Sequence, residues 1–365
     1  MHVIRARNVH QALPEALYQI QRHGVKRDSR NGPVLKFPEP CTIVYEHPCE
    51  RVVFWPEREA NPTFHLLEAL WMLAGRNDVQ FVASLVPRMA TFSDDGQTLN
   101  GAYGYRWRHH FRTPEGQVID QIQTIAQALR LNRNCRRQVL SMWDGGHDLG
   151  LQSKDLPCNT HAYFSINDDG LLDMMVCNRS NDLVWGALGA NAVHFSVLQE
   201  FMASLIGVGV GRYWQTSNNM HLYLEHHEKL MEELSPKAYP SQQYRETCPY
   251  ESGRVKPSPL VPQGDANAWL REVEMFLDVG VAMGMRDPFV KRVAAPLAEA
   301  YALYRSAESP SGLTQALDRV GHCEAEDWRL AAQEWYERRL EKAKAKCADG
   351  YEFDPQKALQ PGKMS

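Results

Sequence analysis

The chain has 365 residues, of which 44% are hydrophobic and 23% charged, and its formal net charge is −4. This length allows one large or two smaller folded domains, and the composition is ordinary for a soluble globular protein. The charge excludes a global basic field, so no direct nucleic-acid partner is expected. No apolar stretch approaches the roughly 20 residues of a membrane span, and no signal-peptide segment follows Met1, which predicts a cytoplasmic protein without a membrane partner.

The N-terminal part predicts a helix over residues 10–24, a polar turn around Arg30 and Gly32, and a β-rich run over 41–45. A guanidinium beside a glycine turn can hold an anion, because backbone N–H groups converge there. The alternative, a solvated arginine in a turn, stays open at this point.

A second helix is predicted to start at Asn61-Pro62 and to end at Gly75, because a capping residue followed by proline favours a helix start and glycine favours a stop. Glu68 lies inside its apolar stretch. A buried carboxylate without a partner is costly. Glu68 is therefore a candidate functional residue, and the alternative is a glutamate on one narrow polar face.

The middle of the chain holds two further basic or aromatic motifs. Tyr103 lies between glycines, which indicates backbone that bends tightly near a ligand. After an amphipathic helix over 118–131, Arg136 and Arg137 open a predicted strand and point to opposite faces. Two adjacent arginines there suit two different partners, and arginine suits bidentate phosphate binding.

Eight cysteines are scattered along the chain without a CxxC pair or zinc-like spacing. In a reducing compartment most cysteines are buried free thiols. We expect that state for Cys41, Cys49, Cys135, Cys177, Cys248, Cys323 and Cys347. Cys158 differs because it follows Pro157 and precedes a motif with a fixed cation, Arg179. A thiolate is a nucleophile that needs such a cation nearby.

The segments after Cys158 predict strands at about 161–166 and 171–177, joined by a turn at 167–170. Asn191 lies near the start of the next apolar helix, where helix capping is the simple interpretation. Strand alternation places His221 and Tyr223 on one face. The histidines in this region lack a carboxylate or cysteine with zinc-like spacing, so no metal site is expected.

The last third of the chain changes character at a proline-rich polar segment. The predicted organisation is a catalytic domain over 1–232, a linker over 233–264, a helical extension over 265–350 and a tail over 351–365. Helices are expected over 265–280, 287–307 and 324–346. Packing or stabilisation of a dimer is the first interpretation of the extension, and recruitment of a partner is the second.

Taken together, the ordered motifs between about residues 26 and 230 resemble the thymidylate synthase superfamily, which includes the deoxypyrimidine-nucleotide hydroxymethylases of some phages. The motifs are 65–75, 101–108, Arg136-Arg137 with Ser141 and Trp143, Pro157-Cys158, 179–182, Asn191, and 221–223. The resemblance implies an α/β (α+β) fold with a large mixed β-sheet and packed helices, here followed by the α-helical C-terminal extension. It also implies location in the host cytoplasm if the protein is encoded by a phage.

The resemblance assigns roles to individual residues. It implies catalytic roles for Cys158, Glu68, Tyr103, Asp182 and Asn159. It implies phosphate contacts from Arg30, Arg136, Arg137, Arg179 and Ser180, and base or sugar contacts from Asn191, His221 and Tyr223. It implies contacts on the folate side from Trp71, Phe92 and Asp182. Finally, it implies a homodimer in which Arg136 and Arg137 reach the neighbouring subunit's site.

The implied reaction is one-carbon transfer from 5,10-methylenetetrahydrofolate to C5 of a pyrimidine deoxynucleoside monophosphate. The Cys158 thiolate adds to C6, Arg179 lowers the thiol pKa, and Glu68 relays protons through water. A neutral Asn191 both donates and accepts a hydrogen bond, which suits uracil and therefore dUMP.

Four departures from the family pattern favour water over hydride as the final reactant. Asn159 stands where a histidine usually follows the nucleophile, and residues 91–96 replace a tryptophan-rich segment. Residues 187–190 are one residue longer than the usual segment, and no short closing C-terminus is recognisable. A site without the stacking tryptophan and the closing tail admits water more readily. The sequence therefore predicts dUMP 5-hydroxymethylation; the alternatives are a thymidylate synthase, a dCMP hydroxymethylase and a catalytically idle nucleotide-binding relative.

Overall fold

The computed structural model describes residues 1–238, 248–307 and 309–348, with side chains described up to residue 345. The predicted tail over 351–365, the side chain of Cys347 and part of the predicted linker lie outside the described residues. No helix among those residues is long and apolar enough to cross a membrane.

Ten strands are found in the described part of the chain. They are β1 (His2–Ala6), β2 (Val25–Arg27), β3 (Val34–Lys36), β4 (Cys41–Tyr45), β5 (Val139–Ser141), β6 (Asn159–Ile166), β7 (Leu171–Asn178), β8 (Asn181–Asp182), β9 (Gly209–Ser217) and β10 (Met220–Tyr223). A six-stranded sheet has the order β1-β4-β9-β7-β6-β5, and a four-stranded sheet has the order β2-β3-β10-β8. The larger sheet is mixed, because β1 with β4 and β7 with β9 are parallel while the other pairs are antiparallel.

The α-helices are α1 (Val9–His23), α2 (Pro62–Leu73), α3 (Val79–Leu85), α4 (Tyr103–Tyr105), α5 (Gln121–Leu131), α6 (Gly145–Asp148), α7 (Asn191–Ile206), α8 (Leu224–Leu234), α9 (Ala266–Val279), α10 (Ala295–Arg305), α11 (Pro310–Gly321) and α12 (Glu326–Ala348). Short 3-10 helices occupy Pro56–Arg58, Pro87–Phe92 and Ser235–Lys237, and π-helical segments occupy Arg106–His110, Leu183–Ala190 and Val290–Ala294. The predicted mixed α/β architecture is confirmed.

Helix α2 begins and ends where its sequence predicts. The Asn61 side chain accepts a hydrogen bond from the Phe64 N–H at 3.1 Å, which caps the first turn. Pro62 occupies the first helical position, where a missing N–H costs nothing. Gly75 takes a φ of +73° just after the helix, a conformation that favours glycine. These signals place Glu68 in the middle of a buried helix.

Helix α7 lies at the centre of the molecule and is buried along nearly its whole length. It packs against α2 and α5 and against strands β7 and β9 of the large sheet. A helix with apolar residues around most of its circumference belongs in the interior. The polar residues near its N-terminal end, Asn191 and His194, are therefore placed inside the protein and close to α2.

The described residues of the predicted linker are packed rather than free. Tyr250 donates a hydrogen bond to Asp327 of α12 at 2.9 Å, and the N–H groups of Leu260 and Val261 donate to Glu200 of α7. One hydrophobic core runs from the sheets into the C-terminal helices. The proline-rich polar composition predicted a linker between two regions. The structure differs because the apolar residues of this segment are buried.

Three other predictions differ from the structure. Helix α11 fills the gap left between the second and third predicted C-terminal helices. Arg136 and Arg137 precede β5, which starts at Val139. The described cysteines are free as expected, but burial is complete only for Cys41, Cys248 and Cys323, while Cys49, Cys135 and Cys177 are partly exposed.

Candidate active site

Cys158 lies at the entrance to β6, in a loop that is fixed from two sides. The Tyr103 hydroxyl accepts hydrogen bonds from the backbone N–H groups of Cys158 at 3.2 Å and Asn159 at 3.4 Å. Arg179 donates through Nε to the Pro157 carbonyl at 2.8 Å, and its own N–H donates to the Cys158 carbonyl at 2.9 Å. Tyr103 and Arg179 therefore hold the backbone on either side of Cys158, the predicted nucleophile.

Two opposing effects set the ionisation of the Cys158 thiol. Burial raises its pKa, and the charges of Arg179 and Arg30 lower it. The nearby carboxylate of Asp155 adds a smaller raising effect. The structure thus brings both predicted arginines within electrostatic reach of the sulfur, but burial dominates and the free thiol stays largely protonated near neutral pH.

A chain of buried side-chain amides lies directly behind the nucleophile. Asn159 and Asn191 approach each other through both amide atoms, at 3.3 and 3.5 Å. Asn191 Nδ2 also donates to Asn181 Oδ1 at 3.1 Å, and Asn181 Nδ2 donates to Gln215 Oε1 at 2.5 Å. Asn191 does not cap its helix. The amide chain instead fixes its side chain beside Asn159, which contradicts the simple capping interpretation.

Asp182 joins the site to the smaller sheet. Its Oδ1 accepts hydrogen bonds from the backbone N–H groups of Val184 at 3.0 Å and of Trp185, while Oδ2 is buried without a hydrogen-bond partner among the described residues. Burial raises the pKa of Asp182 in spite of those N–H groups and of His221 and Arg58 nearby. Asp182 pairs in register with His221 across β8 and β10.

His221 and Tyr223 lie on one face of β10, as strand alternation predicts. Their rings meet edge to face with centroids 5.1 Å apart. The Tyr223 ring lies 6.3 Å from that of Trp185. Both side chains are partly exposed. The pair is therefore available to a ligand on the side of the sheet that carries Asp182.

An arginine lies between two aromatic rings, and one of them belongs to Trp185, whose backbone N–H donates to Asp182. The Arg88 guanidinium lies 6.0 Å from the Phe92 ring and 5.5 Å from the Trp185 ring. Phe92 is 38% exposed, and its folate-side role stays a prediction. Trp71 is only 1% exposed, and its indole N–H donates to Asp78 at 3.1 Å. Its ring is buried in this structure, and its folate-side role stays a prediction.

The other predicted phosphate ligands divide into two groups. Arg30 lies exposed in its turn and Ser180 is half-buried next to Arg179. Arg136 and Arg137 are exposed on the loop before β5, and neither forms an ion pair with a described residue. Within one chain, then, Arg30 and Arg179 act on the sulfur, while Arg136 and Arg137 lie outside the contacts that define the site.

Glu68 lies buried in α2, 5% exposed, and faces α7. Its Oε2 is 3.0 Å from Nε2 of His194. The narrow polar face that the sequence left open as an alternative is absent, because the residues on either side of Glu68 are buried as well. The buried Glu68 carboxylate therefore has the His194 imidazole as its neighbour. No group of three or more His, Cys, Asp or Glu side chains in the described part of the chain is arranged to hold a metal ion.

A family model described as thymidylate synthase matches residues 14–248, which is more than half of the chain. The chain belongs to the thymidylate synthase family. The match covers the Cys158 loop, the amide chain, Glu68, the smaller sheet and every strand of the larger sheet except β1, so the residues that the ordered motifs singled out lie in the family's own domain.

Three relatives place the chain within the thymidylate synthase family. A deoxyuridylate hydroxymethyltransferase of Pseudomonas phage M6 is 52% identical over 352 residues, covering 96% of this chain and 98% of the relative. A protein of the same name from Bacillus phage SP01 is 36% identical over 213 residues, 57% of this chain and 55% of the relative. A thymidylate synthase of Corynebacterium aurimucosum is 33% identical over 177 residues, 47% of this chain and 64% of the relative.

The glycines of the family's glycine-tyrosine-glycine segment have a packing role here. A Cβ on Gly104 would lie 1.7 Å from the Met72 carbonyl oxygen of α2, and one on Gly101 would lie 2.9 Å from the Asp155 carboxylate. The sequence attributed this tight backbone to a nearby ligand. The structure attributes it to contact with α2 and with the nucleophile loop, and the effect is to place the Tyr103 hydroxyl under Cys158.

Sequence reasoning missed four side chains that shape this family site: Gln215, Trp185, Asp155 and His194. Gln215 ends the amide chain, and its inward position follows only from the register of β9. Trp185 and His194 lie in segments that read as uniformly apolar. One signal was present: a histidine three residues after Asn191 lies on the same face of a helix.

Proposed function

We propose that this protein hydroxymethylates dUMP at C5, using 5,10-methylenetetrahydrofolate as one-carbon donor and water as the final reactant. The observation that carries the proposal is the Asn159–Asn191 amide pair beside the Cys158 nucleophile. In this pair, Asn191 is the predicted reader of the base, and Asn159 stands where the family usually has a histidine after the cysteine. The names of the two phage relatives support the same activity.

Uracil fits the amide pair because an amide offers one donor and one acceptor. Uracil presents an acceptor at O4 and a donor at N3–H. The Asn159–Asn191 contacts of 3.3 and 3.5 Å are long, so a base can replace them at little cost, while the 3.1 Å bond to Asn181 keeps Asn191 in place. Cytosine presents the opposite pattern at these two positions, and the amide would have to turn over against Asn181.

The Cys158 sulfur would add to C6 of the pyrimidine, and C5 would then become the nucleophile towards the methylene carbon that bound methylenetetrahydrofolate supplies. Binding of the nucleotide would expel water from the thiol while Arg179 and Arg30 keep a positive field on it. Tyr103 would hold the cysteine backbone at the start of β6 through this step. Removal of the C5 proton and departure of tetrahydrofolate would leave a methylene group on C5 that accepts water.

The 5′-phosphate would be bound by Arg30, Arg179 and Ser180 of one chain with Arg136 and Arg137 of the partner subunit. This local cluster of arginines explains how a chain of net charge −4 can bind a phosphate dianion. His221 and Tyr223 would contact the deoxyribose 3′-hydroxyl from the exposed face of β10. Arg179 then has two functions, because it also fixes the nucleophile loop.

The donor would lie on the side of Asp182 and Phe92. The buried Oδ2 of Asp182 has no hydrogen-bond partner among the described residues, so it can bind the polar edge of a heterocycle. The Phe92 and Trp185 rings on either side of Arg88 offer aromatic faces next to it. A ring system with a polar edge and a negatively charged tail fits this combination.

A homodimer would complete the phosphate site. Val139, Tyr163 and Met175 are aligned across β5, β6 and β7, and each is more than a third exposed on the outer face of the large sheet. Trp214 of β9 continues the row. An exposed apolar row of this kind marks an interaction surface. A second copy of the sheet placed against it would bring the exposed Arg136 and Arg137 near another subunit.

Covalent capture of 5-fluoro-dUMP tests the proposed chemistry. With methylenetetrahydrofolate, the fluorinated base should form a stable adduct with the full-length protein, because the fluorine at C5 cannot leave as a proton does. Cys158→Ala should abolish this adduct in intact-mass spectra, and Cys177→Ala, a partly exposed thiol on β7, should not. A labelled adduct that survives in Cys158→Ala would contradict the proposal.

A further inference from the structure

Helix α7 contains a histidine that its apolar surroundings do not explain. His194 is 3% exposed and lies in a helix that is buried on every side. Histidine is seldom fully buried without a polar partner, because burial of a polar group costs free energy unless it is hydrogen-bonded. A packing role alone would be filled better by an aliphatic residue.

The contact between His194 and Glu68 is short but incomplete. Nε2 and Oε2 are 3.0 Å apart, yet neither atom has a well-aligned hydrogen bond to any described residue, and Nδ1 has none either. The distance is that of a hydrogen bond and the alignment is not. A small rotation of the imidazole completes the bond, and both groups still have capacity for a water molecule or a substrate oxygen.

The position of His194 links this pair to the nucleophile. His194 follows Asn191 by three residues, and residues three apart share a face of a helix. Asn191 contacts Asn159, the residue next to Cys158. The face of α7 that holds the pyrimidine reader is therefore the face that holds His194, and α2 presents Glu68 to it.

Two other ionisable groups, His65 and Arg58, lie near the Glu68–His194 pair, and neither is suited to transfer a proton in its place. His65 lies one turn before Glu68 on α2, and burial, with the charges of Arg58 and His194, lowers its pKa to about 3. His65 therefore stays neutral near neutral pH. Arg58 donates to the Val184 carbonyl at 3.1 Å, and the ion-pair distance to Glu68 in the described structure comes from His194.

We propose that His194 is a positioning residue that holds the Glu68 carboxylate through Nε2, so that Glu68 receives a proton from the water that attacks the C5 methylene group. This inference deepens the proposed function and rests on it. A residue with this role would favour the hydroxymethyl over the methyl product, since hydride transfer needs no base for water.

The step balances as a conjugate addition followed by elimination. The water oxygen forms a bond to the methylene carbon, and one water proton passes to Glu68. The π electrons of the methylene group move towards C4 and leave an enolate at O4. The enolate then restores the C5–C6 double bond and expels the Cys158 thiolate, which leaves free enzyme and 5-hydroxymethyl-dUMP.

Three variants of the full-length protein separate this role from packing. His194→Leu removes both nitrogens at similar volume, and His194→Gln keeps a donor near the position of Nε2. Ser196→Ala on the same helix is the matched control, because its hydroxyl bonds only the Val193 carbonyl in the described structure. Each is assayed for the 5-fluoro-dUMP adduct, for 5-hydroxymethyl-dUMP, and, with 2-mercaptoethanol present, for the thioether formed when the thiol captures the methylene group.

We expect His194→Leu to form the adduct as the wild type does, to lose product formation by at least about tenfold, and to accumulate the thioether. His194→Gln should recover part of the product, and Ser196→Ala should match the wild type. Product formation by His194→Leu at the wild-type rate would overturn the inference, as would equal loss of adduct and product in a folded variant. A wild-type protein that forms no adduct would overturn the proposed function itself, and this inference with it.

Discussion

The reactivity of Cys158 depends on a balance between burial and two cations. Burial raises the thiol pKa, and Arg179 and Arg30 oppose this effect. The alkylation rate of Cys158 by iodoacetamide should therefore keep rising with pH beyond the ordinary thiol value of about 8.5. Peptide mass spectrometry in a Cys135→Ser background measures it, because Cys135 is a partly exposed thiol whose pKa is lowered by hydrogen bonds from Arg137 and Gln138.

The variant Arg30→Gln tests whether the Arg30 charge lowers the pKa of Cys158. Loss of this cation should raise the Cys158 pKa further and slow alkylation at a fixed pH, since a smaller fraction of the thiol is ionised. Arg271→Gln removes an exposed arginine on α9 and should leave the rate unchanged. A plateau in the wild-type rate well below the ordinary thiol pKa would show that burial does not dominate.

At this scale the sequence identified the residues that carry ordered motifs and missed those that depend on packing. Cys158 and Arg179 were recognisable from a reactive residue type in a specific context. His194 and Gln215 were not, because their partners come from α2 and β8, far away in the chain. A contact between distant segments leaves no trace in the local spacing of either one.

The Gly104 turn connects α2 to the nucleophile loop at the scale of elements. Gly104→Ala would place a Cβ 1.7 Å from the Met72 carbonyl, which neither backbone segment can accommodate without moving. We expect a loss of about 1–3 kcal/mol in the free energy of unfolding, together with reduced adduct formation, because Tyr103 moves with the turn. Urea unfolding and the 5-fluoro-dUMP adduct measure the two effects.

Gly145→Ala is the control for that substitution, since a Cβ there would meet no atom within 4 Å. Its stability and adduct yield should be those of the wild type. If Gly104→Ala behaved like Gly145→Ala, the close approach of the turn to α2 would not position Tyr103.

Elements with strong local signals were predicted to within one or two residues, and weak ones were missed. Helix α2 carries a cap, a proline and a glycine stop, and the hairpin of β6 and β7 carries a turn at 167–170. Strands β2 and β3 have three residues each, too few for a period to be visible. The place of β3 is decided by its pairing with β10, and that of β2 by its pairing with β3.

A buried ion pair between Arg51 and Glu200 of α7 holds the segment that leads to the C-terminal helices. Arg51 and Glu200 are 2.6 Å apart with almost no exposure, and Glu200 also accepts the N–H groups of Leu260 and Val261. Glu200→Ala would leave the Arg51 cation buried without a partner and should cost on the order of 3–5 kcal/mol of unfolding free energy. Chemical denaturation of the full chain measures this loss.

An exposed ion pair in the same region is the control. Arg254 and Glu334 are 3.1 Å apart at the surface, so Glu334→Ala should cost less than about 1 kcal/mol. Equal small losses for Glu200→Ala and Glu334→Ala would show that the extension does not depend on the buried pair. Composition had separated a linker and an extension here; their burial follows from contacts with α7 that no local pattern encodes.

Mixing of two inactive variants tests whether the active unit is a dimer with shared sites. If Arg136 and Arg137 serve the partner subunit, Cys158→Ala mixed with the double variant Arg136→Ala/Arg137→Ala should regain about a quarter of the wild-type sites after unfolding and refolding together. Each variant refolded alone is the control. No recovery in a mixture that forms dimers would place these arginines in their own subunit's site or outside any site.

The product of the reaction tests the central claim most directly. The purified protein is incubated with dUMP and 5,10-methylenetetrahydrofolate, the nucleotide is analysed by mass spectrometry, and the folate is followed by its absorbance. We predict 5-hydroxymethyl-dUMP with tetrahydrofolate and no dihydrofolate. Formation of dTMP with an equal amount of dihydrofolate would contradict the account and make the protein a thymidylate synthase.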